Sequence, residues 1–457
     1  MAPPPGPLRT HPANPRYFAE PSGRPVYLAG SHTWAVMQDM WLEGAPRRNT
    51  DYAGFLQMLE DHGHNFLRFW QWMHPKRAAW NQTPTLFCPQ PFERTGPGEA
   101  RDGLPRFDLS RPNPAYYARL RERVEQAGER GIYVSVMLFE AWTVKWPTPE
   151  TDPWPLHPMH PDNNVNGIED DPRVPEHGWA WNLFSLACPQ LLRWQEAYVR
   201  QVVEALNDLD HVLYEVCNEV PHRGEALAWQ DHMAAFVHDL ERGLTKQHPV
   251  GITAEGGDQD NSELFATCAD WLSPSNGRLF EYRYNPPAAD GRKVILTDTD
   301  HLWGHGCEVA WIWKSFTRGM NVLFMDPWER IPGELDWWRD GDVSRNQRHY
   351  WAWDDVRRNL GYTRRVAERM DLARCTPRGE LCTSTYCLAD PGREYACYFP
   401  TGGPEGLDLW NAAGEFCVEW LDPATGRTTR GGAILGGTRH ALQAPFAGPA
   451  VLIVRRV

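Results

Sequence analysis

Two runs of this chain end an apolar stretch in acidic residues, a pattern suited to proton transfer and nucleophilic attack. The first is Leu213-Tyr-Glu-Val-Cys-Asn-Glu219. A strand of this composition belongs in a core, where an amide and a carboxylate without partners would cost several kcal/mol. Chemistry at the strand end accounts for them. The alternative is that Glu219 caps or pairs with the following helix. The second run, Lys293-Val-Ile-Leu-Thr-Asp-Thr-Asp-His301, places Asp298 and Asp300 on one face by strand alternation. Two opposed carboxyl groups can cleave a glycosidic bond, one as acid and the other as nucleophile or as base for water. Retention needs them about 5–5.5 Å apart and inversion about 6.5–9.5 Å. An aspartate side chain is one methylene shorter than a glutamate and favours the larger separation, so both outcomes stay open, with retention the working expectation and the choice between Asp298 and Asp300 undecided. Glu215, four residues before Glu219 on the same side, reads as a deeper support for buried donors.

Further polar and aromatic residues gather at the ends of apolar runs. Arg68 and Trp70 lie in Asn65-Phe-Leu-Arg-Phe-Trp70, His32 and Trp34 follow Gly30, and Glu140 and Trp142 close another run. His301, Trp303 and Trp328 complete the set of candidate substrate contacts. A guanidinium such as that of Arg68 keeps a neighbouring carboxylate ionised. Of the 23 tryptophans, 21 precede position 375. Indole offers a flat apolar face that stacks on the C–H face of a sugar, although any one of them can equally be core filler. Two rival readings stand beside the glycosidase. One is a metal-dependent hydrolase using Asp298, Asp300, His301 and His305, which Gly304 and Gly306 argue against by breaking a helical shared face. The other is a sugar-binding barrel without chemistry.

The elements that must position these residues alternate between strand and helix. Strands are predicted at Val26–Gly30, Phe66–Gln71, Tyr133–Glu140, Val212–Glu219, Val250–Ala254, Trp271–Ser273, Val294–Asp298 and Val322–Asp326. Helices are predicted at Thr50–His62, Ala115–Arg130, Gln190–Asn207, Ala226–Lys246, Glu308–Arg318 and Arg345–Leu372. Eight strands in this order predict an α/β fold, a (β/α)8 barrel with its site at the C-terminal ends of the strands. No Gly-rich phosphate loop follows the first strand, which argues against a doubly wound sheet. The connections Met73–Asn113 and Ala141–Pro189 are long enough to wall a pocket, which favours attack on a chain end. After Pro377 short strand-like runs separated by Gly, Pro and Asp predict a β-sandwich. The division expected is a tail over 1–15, a catalytic barrel over 16–375 and a β-sandwich over 376–457.

Composition narrows the partners. A net charge of −13 in 457 residues disfavours nucleic acid. No stretch approaches the ~18 apolar residues of a membrane span, and the Pro-rich start lacks the features of a secretion signal. Ten scattered cysteines show no zinc-ligand spacing. A soluble, cytoplasmic enzyme with free thiols and no cofactor is the expectation, with secretion open if a leader has been removed. Oligomeric state is not legible.

The Asn218-Glu219 ending resembles clan A glycoside hydrolases, whose fourth barrel strand ends in Asn-Glu. The resemblance implies that Glu219 is the acid/base, that Asn218 holds a sugar hydroxyl, and that Arg68 braces the nucleophile. It also implies an aromatic floor near Trp328. That clan carries a Glu at the end of strand seven, where this chain has Asp298. Asn14-Pro-Arg-Tyr-Phe18, Gly30-Ser-His-Thr-Trp34, Thr297-Asp-Thr-Asp-His-Leu-Trp-Gly304 and Phe324-Met-Asp-Pro-Trp328 are similar to an apiosidase-like bacterial branch of the clan. The C-terminal sandwich of that branch carries a collagen-binding label, which a β-sandwich alone does not support.

Overall fold

The computed structural model describes residues 4–328 and 353–457, apart from residues 80, 146, 177, 258 and 305 and the side chain of residue 81. Eight parallel strands close into a barrel in sequence order: β1 (Ala29–His32), β2 (Phe66–Phe69), β3 (Tyr133–Glu140), β4 (Val212–Asn218), β5 (Val250–Thr253), β6 (Trp271–Ser273), β7 (Val294–Asp298) and β8 (Asn321–Met325). Each predicted strand has its counterpart. The first is displaced, for a reason visible at its start. Leu28 and Ala29 give their backbone N–H groups to the side chains of Asn321 and Asn65, at 2.8 and 3.0 Å. Pro25–Val26 meanwhile pairs antiparallel with Phe18–Ala19.

Around the barrel run α1 (Tyr52–Asp61), α2 (Pro114–Glu129), α3 (Trp142–Lys145), α4 (Pro189–Leu206), α5 (Gly224–Glu241), α6 (Glu281–Tyr284), α7 (Val309–Thr317) and α8 (Asp354–Ala367). Asp51 caps α1 through Gly54 N at 2.9 Å, and Asn113 caps α2 through Ala115 N at 3.1 Å, satisfying donors that a helix start leaves free. Of the helix predicted over Arg345–Leu372, residues 345–352 lie outside the described residues, and α8 ends at Ala367, short of the predicted Leu372. The long connection after β2 folds into antiparallel pairs: Asn81–Cys88 lies between Asp39–Leu42 and Lys76–Ala78, and Phe92–Glu99 pairs with Pro105–Pro112. Gly96, Gly98 and three prolines sit within the second pair and masked its period in the sequence.

The barrel interior is layered. At the N-terminal end Phe66, Leu213, Trp271, Val294, Leu296 and Leu323 form an apolar plug with Leu8, Phe18 and Val26 of the N-terminal segment. Gly251 makes room for it, because a Cβ there would fall 1.9 Å from the Trp271 ring. The next layer is polar, with Arg68, Ser135, Glu215, Thr253, Ser273 and Asp298. After α8 the chain forms a six-stranded antiparallel sheet, in the order β9 (Thr376–Pro377), β10 (Cys387–Asp390), β11 (Glu394–Phe399), β16 (Ala450–Arg456), β13 (Glu415–Leu421) and β14 (Thr428–Leu435). A two-stranded sheet of β12 (Glu405–Asp408) and β15 (Arg439–Leu442) faces it. This is the predicted β-sandwich. Tyr386, Tyr398 and Ile453 of this unit share a core with Trp311, Phe316 and Val356 of the barrel helices. No helix among the described residues is long and apolar enough to cross a membrane.

Candidate active site

Arg68 on β2 organises the polar layer, and its side chain is 2% exposed. Nε and Nη2 grip Glu215 of β4 at 2.7 and 2.6 Å. Nη2 also donates to Asn218 Oδ1 at 2.6 Å. Nη1 reaches Asp298 Oδ2 at 3.2 Å and Asp300 Oδ2 at 2.8 Å. One guanidinium therefore serves three carboxylates, an excess of negative charge if all three ionise. The outcome differs with geometry. Burial would raise the Glu215 pKa, but the charge of Arg68 and its paired hydrogen bonds overcome it and hold the group below its ordinary value. Asp298 and Asp300, each with a single contact to Arg68, are pushed up by burial, which Arg68 only moderates.

The tautomer of His32 follows from its neighbours. Trp70 Nε1 lies 2.6 Å from His32 Nδ1, and an indole N–H can only donate. His32 Nδ1 is therefore the acceptor, and the ring proton sits on Nε2, which donates to Asp298 Oδ1 at 3.0 Å. Burial, then the charge of Arg68, holds His32 well below its ordinary pKa and keeps it neutral. Asp298 Oδ1 also accepts from the Asp300 backbone N–H at 3.0 Å. Both oxygens of Asp298 thus face protein donors, and the residue is 1% exposed. Asp300 uses Oδ2 for Arg68, and among the described residues no hydrogen bond engages Oδ1, so within that set it is the freer of the two.

Glu219 follows β4 with φ at +48°, the left-handed region, which costs a residue with a Cβ about 1–2 kcal/mol. Strain of this kind is retained where it aims a side chain. Its Oε1 accepts from Gly256 N at 3.3 Å and lies 3.8 Å from His301 Nδ1. Gly256 permits the approach, since a Cβ there would stand 3.0 Å from that oxygen. Burial raises the Glu219 pKa to about 7, against the pull of Lys145 and Arg68. Burial likewise takes Glu140 to about 8, although its carboxylate accepts from Thr143 N at 3.1 Å and so caps α3.

His301 is 2% exposed, and among the described residues neither ring nitrogen has a hydrogen-bond partner. A buried imidazole left this way is suited to ligand hydroxyls. Asp298, Asp300 and His301 offer ligand atoms within 4.8 Å of one another, the cluster of the metal reading, while His305 lies outside the described residues. Arg68 bonds both aspartates, so a divalent cation would have to displace or sit against a guanidinium, and the donor set fits a metal poorly. A chelator should accordingly leave turnover and melting temperature unchanged, and metal analysis of the purified protein should find less than one equivalent.

The other predicted residues separate. Trp34 packs behind Trp70 and Trp72, at 5.9 and 6.2 Å between ring centroids. Trp142 is half-buried against the main core. Trp303 meets Trp311 edge-on at 5.3 Å under the Arg283 guanidinium, and Trp328 packs near Phe55 at 6.2 Å. Among the described residues the rings of these last two meet Trp311, Arg283 and Phe55. Beside Glu219 opens a cavity of about 380 Å³ lined by Lys145, Trp181, Phe184, Val220, Arg223 and Glu255 among others. A larger one, about 490 Å³, lies at the opposite end of the barrel around Tyr27, Tyr133 and Arg364, away from the carboxylates. Sequence reasoning missed Lys145 and Glu255, which form a close ion pair. Glu255 follows β5 as Glu219 follows β4, so the strand-end argument applied there would have found it.

A family model described as a domain of unknown function (DUF6298) matches residues 77–261. That span contains Glu140, Lys145, Glu215, Glu219 and Glu255, but neither Arg68 nor the two aspartates. No curated protein matches the chain. Among solved structures, one titled glycoside hydrolase is 11% identical with a TM-score of 0.61, covering 99% of this chain and 97% of its own. A glycoside hydrolase family 5 protein from Bacteroides vulgatus is 12% identical, TM-score 0.60, over 99% and 94%. A maltogenic α-amylase from Thermotoga neapolitana is 11% identical, TM-score 0.51, over 93% and 98%. Over nearly its whole length the chain has the fold of these proteins, at an identity that carries the architecture and not the reaction.

Proposed function

We propose that the protein is a glycoside hydrolase in which Glu219 is the general acid and Asp300 the opposing carboxylate, with Asp298 fixed behind it. The observation that carries this is the arrangement at the barrel mouth. A strained Glu219 with a pKa near neutrality lies beside His301, whose ring offers a ligand atom within 4.8 Å of the aspartate pair held by Arg68. Environments that separate two carboxyl groups in this way define an acid and a base. Glu219 donates its proton to the glycosidic oxygen as the C–O bond breaks. Asp300 then attacks the anomeric carbon or takes a proton from water, and retention remains the working expectation. Asn218 and His301 stand where sugar hydroxyls can be held. The walls built by the connections after β2 and β3 support action at a chain end. The glycoside hydrolases of similar fold support the same substrate class.

The pH dependence has a defined sign. Activity requires Glu219 protonated and Asp300 ionised, so kcat/KM should fall as pH rises through about 7 and fall again at low pH, below the raised pKa of Asp300. A carboxyl group whose folded pKa is raised lends its stability below its unfolded pKa and loses it as pH rises through the folded one. Glu219→Gln should therefore melt higher than the natural protein at pH 8 and about equally at pH 4. Release of 4-nitrophenol from a panel of aryl glycosides across pH 4–9 tests the reading. Turnover of no glycoside, or a pH profile flat through 7, contradicts it.

A further inference from the structure

We propose a second carbohydrate-binding site, on the C-terminal β-unit and lined by none of the residues of the carboxylate site, in which Trp410 is a stacking platform for a neutral glycan chain. Only two tryptophans follow position 375, Trp410 and Trp420. Trp420 is core, 3% exposed, whereas Trp410 is 66% exposed, above Trp181 at 36%. An indole held in water forgoes the gain of burial, and here it does so in a fixed setting.

The presentation is rigid. Trp410 sits in a turn whose flanks are buried, Leu409 at 1% and Ala412 at 6% exposed. The turn is tied to the strand opposite by Leu409 N to Thr438 O at 3.0 Å and Gly437 N to Leu409 O at 2.9 Å. Asp408 fixes it from the other side, accepting from Trp410 N at 2.8 Å and from Arg439 Nε at 2.7 Å. β12 and β15 place Asp408 and Arg439 directly opposite each other. Around the ring lies an open depression of about 490 Å³ lined by Asp408, Trp410, Asn411, Thr438 and Arg439.

The chemistry of this lining selects the ligand class. A flat apolar face bordered by amide, hydroxyl, carboxylate and guanidinium matches a pyranose or furanose ring, which is apolar on one face and hydroxylated at its edge. Asp408 and Arg439 neutralise each other, and the chain as a whole carries −13, so an anionic glycan is disfavoured. A protein interface would need roughly 1,000 Å² or more, far beyond one indole ringed by polar groups. The inference does not depend on hydrolysis in the barrel, because binding is read without turnover.

The test is native affinity electrophoresis of the full chain carrying Glu219→Gln, so that the matrix is not cut. It compares this protein with the same chain also carrying Trp410→Ala. Gels contain galactomannan, xyloglucan, arabinoxylan, mixed-linkage β-glucan or glycogen. At least one polymer should retard the first protein, and Trp410→Ala should weaken that retardation at least tenfold, with Trp410→Phe retaining part of it. In the natural background, Trp410→Ala should leave turnover of any aryl glycoside the protein cleaves unchanged. Retardation by none of the polymers, or equal retardation of both proteins, overturns the proposal. So does a dimer that Trp410→Ala dissociates, which would make the patch a self-association surface.

Discussion

Glu219→Gln is expected to lower kcat/KM by about 10²–10⁴-fold on glycosides with a sugar leaving group, the range general acid catalysis contributes. Gln keeps the shape and an oxygen for Gly256 N but has no proton to give. The loss should shrink on 2,4-dinitrophenyl glycosides, whose leaving group departs without protonation. The limb at pH near 7 should vanish with it, because that limb is the ionisation of Glu219 itself. Circular dichroism should show an unchanged fold. Equal losses on good and poor leaving groups would remove the acid role while leaving the fold assignment intact.

Arg68→Met is expected to have the largest effect on stability, about 3–5 kcal/mol, the cost of leaving buried carboxylates without their counter-ion. Glu215, Asp298 and Asp300 all lean on this one side chain. Arg68→Lys should rescue little, since an ammonium cannot span Glu215 in a fork and still reach β7. The pH dependence again has a sign. Glu215 is held below its ordinary value in the fold, so the stability it shares with Arg68 is present above its unfolded pKa and lost as pH falls through the folded one. The deficit of Arg68→Met, read by urea denaturation, should therefore be larger at pH 7 than at pH 4. A deficit that grows on acidification would mean the carboxylates around Arg68 are not the ionised partners described.

The barrel was legible because parallel strands buried on both faces read as short apolar runs, and helices between them keep a 3.6-residue period. Trp271–Ser273, only three residues long, emerged with the bounds expected. The hairpins within 73–113 did not, since Gly96, Pro97 and Gly98 interrupt the alternation that would reveal a strand. Polar residues in or at the ends of apolar runs marked Arg68, Glu219, Asp298 and Asp300, and the fold brings Arg68 into contact with both aspartates. Which aspartate is free was not legible. It depends on His32, whose tautomer is set by Trp70 Nε1 across two strands. Trp303 and Trp328, expected as sugar contacts from their places near strand ends, have rings that also meet Trp311 and Phe55, neighbours that no local pattern announces. Lys145 lies five residues beyond β3 in a short helix, and no local pattern marks it.

The pairing of Glu219 with an aspartate of β7 is tested most directly by kcat for Asp300→Asn and Asp298→Asn on whichever aryl glycoside the natural protein cleaves. Asp300→Asn should lower kcat by about 10³-fold or more with the melting temperature nearly unchanged, as expected of a group acting in the transition state. Asp298→Asn, which keeps an oxygen for His32, should lower it less. Natural turnover in both variants would contradict the account.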